Sequence, residues 1–153
     1  MPIPRPNQHS YVLIADDHES VRNLLTLTLG RAGFVVDSVS DQEEAVAAIK
    51  TVKYDVLIAD LHLGSANGMA LLQFGRRVQP GLATILVTGD PNPQVGPVYP
   101  DGFLSKPWPS IRHVTQLIDL VIDQRRRELQ RQQSLADSPS PAPTLRHTPD
   151  LTR

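Results

Sequence analysis

Val56-Leu-Ile-Ala-Asp60 and Tyr11-Val-Leu-Ile-Ala-Asp-Asp17 are two short, uniformly apolar runs that each stop at a carboxylate. A third run, Ala83-Thr-Ile-Leu-Val87, stops at Thr88, and a shorter one, Gly102-Phe-Leu-Ser105, stops at Lys106. None alternates apolar with polar residues, so each reads as a strand buried on both faces, the mark of a parallel sheet covered by helices on either side. Helical spacing fills the gaps. Val21, Leu24, Leu25, Thr28 and Leu29 form one stripe, with Gly30 and Gly33 as stop signals. Phe34-Val35-Val36 reads as a further strand, and Ser40 to Glu43 has capping-box spacing ahead of Ala45, Val46, Ala48 and Ile49. Met69, Leu71, Leu72 and Phe74 supply a helix after the loop around Gly64 and Gly68. The last helix starts at about Pro109, carries Ile111, Val114, Leu117, Ile118 and Val121 on one stripe, and should fray past Arg127. This alternation predicts an α/β, flavodoxin-like, doubly wound five-stranded parallel sheet of order 2-1-3-4-5, whose ligands bind outside the carboxyl ends of the strands.

The chain has 153 residues, with 15 Lys or Arg and 16 Asp or Glu, and its formal net charge of −1 selects neither nucleic acid nor an anionic membrane as a partner. Cysteine is absent, which removes disulfides, thiolate metal sites and cysteine nucleophiles and fits a reducing cytoplasm. No stretch approaches the roughly 18 consecutive apolar residues of a membrane span, and the opening MPIPRPNQHS does not read as a signal peptide. The 14 prolines are uneven, with clusters in 2–6, 91–109 and 139–149. Residues 1–10 are therefore expected to form a flexible Pro-rich arm, 11–130 one folded domain, and 131–153 a disordered Ser/Pro-rich tail. Within 11–130 there are 11 basic and 14 acidic side chains, a net charge of −3.

Adjacent parallel strands bring their carboxyl ends together, so Asp16, Asp17, Asp60, Thr88 and Lys106 should share one crevice. Singly, each has an ordinary reading: Asp16 or Asp17 as a helix cap, Thr88 as a strand end, Lys106 as a solvated cation. Together, three close carboxylates repel and call for a cation. Hard oxygen donors with open positions suit Mg²⁺, which keeps waters and shares ligands with a phosphoryl group. The segments LIADDHES (13–20), VLIADLHLGSANG (56–68), ILVTGD (85–90) and GFLSKPW (102–108), in this order, resemble the receiver domain of two-component response regulators.

That resemblance implies that Asp60 accepts a phosphoryl group from a histidine kinase or a histidine phosphotransfer protein. It implies Mg²⁺ held by Asp17 directly, by Asp16 through an intervening water, by Asp60 and by the backbone carbonyl of His62. Thr88 and Lys106 would meet the phosphoryl oxygens, and Phe103 occupies the aromatic switch position. His62 and Asp90 stand where the family tunes dephosphorylation, whereas His18 and His113 read as structural or exposed. The Lys106–Pro107 bond should be cis.

One stretch departs from the family. Prolines at 91, 93, 97 and 100 leave at most three consecutive proline-free residues where a fourth helix is usual, and proline inside a helix costs about 3 kcal/mol. The fourth helix is therefore expected to be degenerate or missing, with residues 90–100 an extended loop. Trp108, the only tryptophan, should pack beside the fifth strand. Arg125 to Arg127 read as a solvated helix end, favoured by the helix dipole.

The expected function is that of a single-domain receiver in a phosphorelay, signalling by contacts with a downstream protein target. It is not an enzyme beyond its own phosphorylation and dephosphorylation. A homodimer is compatible with this reading, while binding to DNA or a membrane is not expected. The alternatives are a phosphorylation-independent interaction module and a metal-dependent phosphatase; the latter usually wants an acid two residues after the nucleophile, where His62 stands.

Overall fold

The computed structural model describes residues 10–93, 96 and 99–137. Residues 1–9 of the expected arm (1–10), residues 138–153 of the expected tail (131–153), and 94, 95, 97 and 98 lie outside the described residues. The chain runs β1 (Tyr11–Ala15), α1 (Glu19–Arg31), β2 (Val35–Val39), α2 (Gln42–Thr51), β3 (Val56–Asp60), β4 (His62–Leu63), β5 (Ala66–Asn67), α3 (Gly68–Val78), β6 (Ala83–Thr88), β7 (Gly102–Ser105) and α4 (Ile111–Asp137). Five parallel strands form one sheet in the order β2-β1-β3-β6-β7, while β4 and β5 form a separate small hairpin. Apart from that hairpin, this is the expected order 2-1-3-4-5.

Successive residues of a strand point to opposite faces, and the central strands use both. Val12 and Ile14 of β1, Val56 and Ile58 of β3, and Ile85 and Val87 of β6 face α1 and α4, where Leu25, Leu29, Val114 and Ile118 meet them. Leu13, Ala15, Leu57, Ala59 and Leu86 face the other way, against Ala45 and Ile49 of α2 and Leu71 and Leu72 of α3. Trp108 packs against the first of these cores.

Helix ends show where local sequence signals were displaced. The capping arrangement before α2 lies one residue later than the spacing predicts. Asp41, not Ser40, is the N-cap and accepts from the Glu44 N–H at 2.8 Å. Glu44, not Glu43, reaches back to accept from the Ser40 N–H at 3.1 Å. Gly30 lies inside α1, and Gly33 alone closes it, at φ +100, with the Phe34 N–H bonded to the Leu29 carbonyl. The last helix begins at Ile111 rather than Pro109, because the Ser110 hydroxyl accepts from the His113 N–H at 3.2 Å and caps the first turn. It continues to Asp137, past the expected fraying at Arg127, so residues 131–137, expected as the start of a disordered tail, are helical instead.

Among the described residues no helix separates β6 from β7, as the prolines require. A polar clamp closes the gap. Asp101, just before β7, accepts through Oδ1 from Arg76 of α3 and from Arg125 of α4, each at 2.6 Å. Its Oδ2 accepts from the Thr84 N–H at 2.8 Å and from the Thr84 hydroxyl at 3.2 Å. Arg125 is thus buried, which corrects the reading of a solvated basic run. It continues the stripe of Val114, Ile118 and Val121 and meets a carboxylate where that stripe runs out of apolar partners. Arg126 and Arg127 stay exposed, near Asp55 (3.7 Å) and Asp123 (2.7 Å). The uncovered sheet face leaves Tyr99 and Phe103 exposed, at 65% and 43%.

Asp101→Ala would remove the carboxylate that Arg76 and Arg125 share, leaving Arg125 only the more exposed Glu128 at 3.3 Å. We expect a loss of about 3 kcal/mol, the low end for breaking a buried ion pair, measured by urea unfolding.

Candidate functional site

Register places the site. Ala15 pairs with Ala59 and Ala59 with Leu86, so β1, β3 and β6 end side by side. Thr88 pairs with Ser105 at the end of β7. Past the strand ends the ladder persists, with the Leu61 N–H bonded to the Val87 carbonyl at 2.9 Å and the Lys106 N–H to the Thr88 carbonyl at 3.0 Å. At or just past these strand ends stand Asp16 and Asp17, Asp60, Thr88 and Lys106, and the fold brings Asp16, Asp60 and Lys106 into direct contact.

Asp16 is buried and its carboxylate is held on three sides. Oδ1 accepts from the His18 N–H at 2.9 Å and lies 3.2 Å from His18 Nδ1, while Oδ2 accepts from Lys106 Nζ at 3.1 Å. Arg22 of α1 donates to the Asp16 carbonyl at 2.8 Å and fixes the backbone there. Asp60 is also buried. Its Oδ1 accepts from the His62 N–H at 2.9 Å, and its Oδ2 accepts a short hydrogen bond from the Lys106 ammonium. Asp17 is more exposed, with Oδ1 3.0 Å from His18 Nδ1. Burial is the largest influence on Lys106 and pushes its pKa down. The hydrogen bonds and charges of Asp60 and Asp16 together outweigh it, so the net shift is upward and the side chain is a cation.

Three carboxylates against one ammonium leave the pocket net negative. Donor atoms of Asp16, Asp17, His18 and Asp60 lie within 4.8 Å of one another, a spacing that can hold a metal ion. The donor set is dominated by carboxylate oxygen, two of the carboxylates are buried, and Asp17 stays open to solvent, so the residues fit a hard cation such as Mg²⁺. His18 is the neighbour that sequence reasoning missed. It precedes α1 as its N-cap residue, and the turn into the helix folds its ring back over both aspartates. Its position beside Asp17 was visible in the sequence, but that turn was not.

Thr88 is buried at the strand end, and its hydroxyl accepts from the Asp90 N–H at 3.0 Å. Asp90 itself is exposed and accepts from the Asn92 N–H at 2.9 Å. The His62 side chain is exposed on β4. Phe103 lies opposite Leu86 in the ladder, and the Lys106–Pro107 bond is cis. One glycine decides how close α3 comes to the site. A Cβ on Gly68 would lie 1.9 Å from the Asp60 carbonyl oxygen, so only a bare backbone lets the N-terminus of α3 close on the loop that carries Asp60.

The response regulator receiver domain model matches residues 12–119. The sensory/regulatory protein RpfC of Xanthomonas campestris pv. campestris is 30% identical over 122 residues, covering 74% of this chain and 17% of that protein. The C4-dicarboxylate transport transcriptional regulatory protein DctD of Rhizobium meliloti is 32% identical over 107 residues, covering 67% of this chain and 23% of that protein. The chain thus spans about a fifth of the length of these curated relatives. A CheY-like receiver domain from Methanospirillum hungatei superposes with a TM-score of 0.70 at 23% identity, covering 78% of this chain and 98% of that one. A structure titled adenylate cyclase from Rhodopirellula baltica does so at 0.74 and 23%, covering 85% and 99%. With the family model spanning the sheet and every strand end that builds the pocket, the chain belongs to the receiver domain family of two-component response regulators.

Proposed function

We propose that Asp60 is the phosphoryl acceptor of a two-component relay and that Asp16, Asp17, Asp60 and the His62 carbonyl hold Mg²⁺ beside it. The observation that carries this reading is the Lys106 ammonium, shared between the buried carboxylates of Asp60 and Asp16 at the ends of three strands. In the transfer, an Asp60 oxygen attacks phosphorus, the phosphorus–nitrogen bond of a phosphohistidine on a kinase or phosphotransfer protein breaks, and the imidazole leaves with a proton. Such a transfer needs positioning and charge neutralisation more than covalent assistance. Lys106 would leave its bond to Asp60 for a phosphoryl oxygen, and the Thr88 hydroxyl would donate to another. The bound ion would supply the remaining neutralising charge.

The product adds roughly −1.5 to −2 charge at Asp60 if it behaves like other phosphoryl groups. Thr88 would turn toward it, and Phe103, half free of packing at 43% exposure, would move inward into the space released. This two-position element would present the signal to a downstream protein. His62 and Asp90, exposed on either side of the pocket, would set how readily water reaches the phosphoryl group. All these side chains lie between Asp16 and Lys106, so the chemistry is complete within the domain, which acts as its own catalyst rather than as an enzyme on other substrates. We place the exchange in the cytoplasm, with which a cysteine-free chain is compatible.

Intact-mass measurement after incubation with a small phosphodonor and Mg²⁺ should show one phosphoryl group on the wild type and none on Asp60→Asn; an unmodified wild type would overturn the proposal. Lys106→Met should slow phosphorylation by about 10²-fold, the scale for losing one preorganised charge-stabilising group. Without Lys106, Asp16 and Asp60 repel. The metal-free variant should therefore melt below wild type, and Mg²⁺ should raise its Tm by more than it raises the wild-type Tm. Gly68→Ala should cost about 1–3 kcal/mol through the clash with the Asp60 carbonyl and slow phosphorylation of the folded fraction, read by urea unfolding and single-turnover labelling.

A further inference from the structure

The end of the sheet opposite Asp60 carries a second feature. Where β3 and β6 begin, the C-terminal turns of α2 and α3 and the extension of α4 enclose a groove of about 660 Å³. It is built by side chains, not left by loose packing. The Gln79 amide donates to the Ile49 and Val52 carbonyls at 2.8 and 2.7 Å, and its oxygen accepts from the Tyr54 N–H at 3.0 Å. Gln79 thus ties the end of α2 to the entry of β3. Leu129, beyond the expected fraying of α4, packs over Gly81, where a Cβ would lie 3.3 Å from its Cδ2. The added length of α4 therefore supplies one wall.

The lining joins apolar surface to uncompensated positive charge. Val52 and Val78 both line the groove and are 37% and 43% exposed. Lys50 and Lys53 are exposed and form no ion pair among the described residues, and Arg126 reaches only Asp55, at 3.7 Å. Asp55 is the one carboxylate of the lining and already accepts from the Tyr11 N–H at 2.8 Å. Three cations against one committed carboxylate leave the groove positive, although the domain as a whole is acidic.

We propose that this groove binds a short acidic peptide segment of a partner protein, its Asp or Glu side chains facing Lys50, Lys53 and Arg126 and its apolar side chains seated between Val52, Val78 and Leu129. The volume lies in the range of about 300–1,000 Å³ that encloses small ligands, which suits a few side chains rather than a domain face. The apolar rims disfavour nucleic acid. Residues 138–153 of this chain have two arginines and one aspartate, a charge of the wrong sign for the site. The groove lies at the far end of the sheet from Asp60, so occupancy does not depend on phosphorylation.

The test is selection of a displayed library of short random peptides on the full chain, followed by titration of the enriched peptides into isotope-labelled protein. The expected result is enrichment of acids flanking apolar anchors, with amide shifts clustered on Val52, Lys53, Val78 and Leu129. The doubly substituted variant Lys50→Glu, Lys53→Glu should weaken binding by about tenfold or more. Both lysines are exposed, so circular dichroism should match wild type. Asp60→Asn should bind as wild type does, which separates this proposal from phosphoryl acceptance. No enrichment, neutral or basic consensus peptides, shifts confined to the Asp60 end, or undiminished binding to the charge-reversed variant would overturn it. So would self-association through the groove, tighter oligonucleotide than peptide binding, or about tenfold tighter peptide binding after removal of residues 138–153.

Discussion

The parallel ladder that runs from Ala15 through Ala59 to Leu86 is the constraint on which the rest of the structure depends. Because neighbouring strands stay in register, the apolar core ends at one level, and the polar residues at or just past the ends of β1, β3, β6 and β7 emerge at the same edge. That alignment gathers Asp16, Asp60 and Lys106, which are 46 and 90 positions apart along the chain. The electrostatic cost of two buried carboxylates is offset there by a shared ammonium and by the N–H groups of His18 and His62. A shift of β3 by one residue would turn its side chains to the opposite face and remove Asp60 from the pocket.

Among the described residues no helix lies between β6 and β7, and this changes how this part of the molecule is held together. Where an apolar helix would bury the sheet face, Asp101 instead ties α3, β6 and α4 to the start of β7 through two guanidinium groups and Thr84. Such a clamp is directional and incomplete: among the described residues, the buried Nε atoms of Arg76 and Arg125 have no hydrogen-bond partner. It anchors the connection at one point and leaves Tyr99 and Phe103 in solvent. The surface around the aromatic switch position is therefore open where a helix would otherwise lie.

Much of this was legible beforehand. The apolar runs are short, end at polar residues and alternate with helical stripes, and proline spacing at 91, 93, 97 and 100 forbids a helix on backbone grounds alone. Misreadings came where two local signals competed. Ser40 and Asp41 are both good N-caps, as Glu43 and Glu44 are both suitable third residues, and the folded chain uses the second frame. Arg125 was read by its charge, although its helical position, four residues after Val121, already placed it on the buried stripe.

By itself the sequence determined the alternation of strands and helices, the residues at the strand ends and, among the described residues, the lack of a helix between β6 and β7, because periodicity and proline geometry are local properties. Tertiary structure decided the contacts around that expected crevice and away from it. Only the folded chain shows that His18 turns back over Asp16 and Asp17, that Asp101 finds two arginines, that Gly68 must admit the Asp60 carbonyl, and that the extension of α4 closes a groove with Gln79 and Gly81. The turn at His18 and the approach of Gly68 to Asp60 are short-range but depend on the path the backbone takes past the strand ends. The Asp101 clamp and the groove depend instead on distances between segments remote in sequence, which are set by packing rather than by any local pattern.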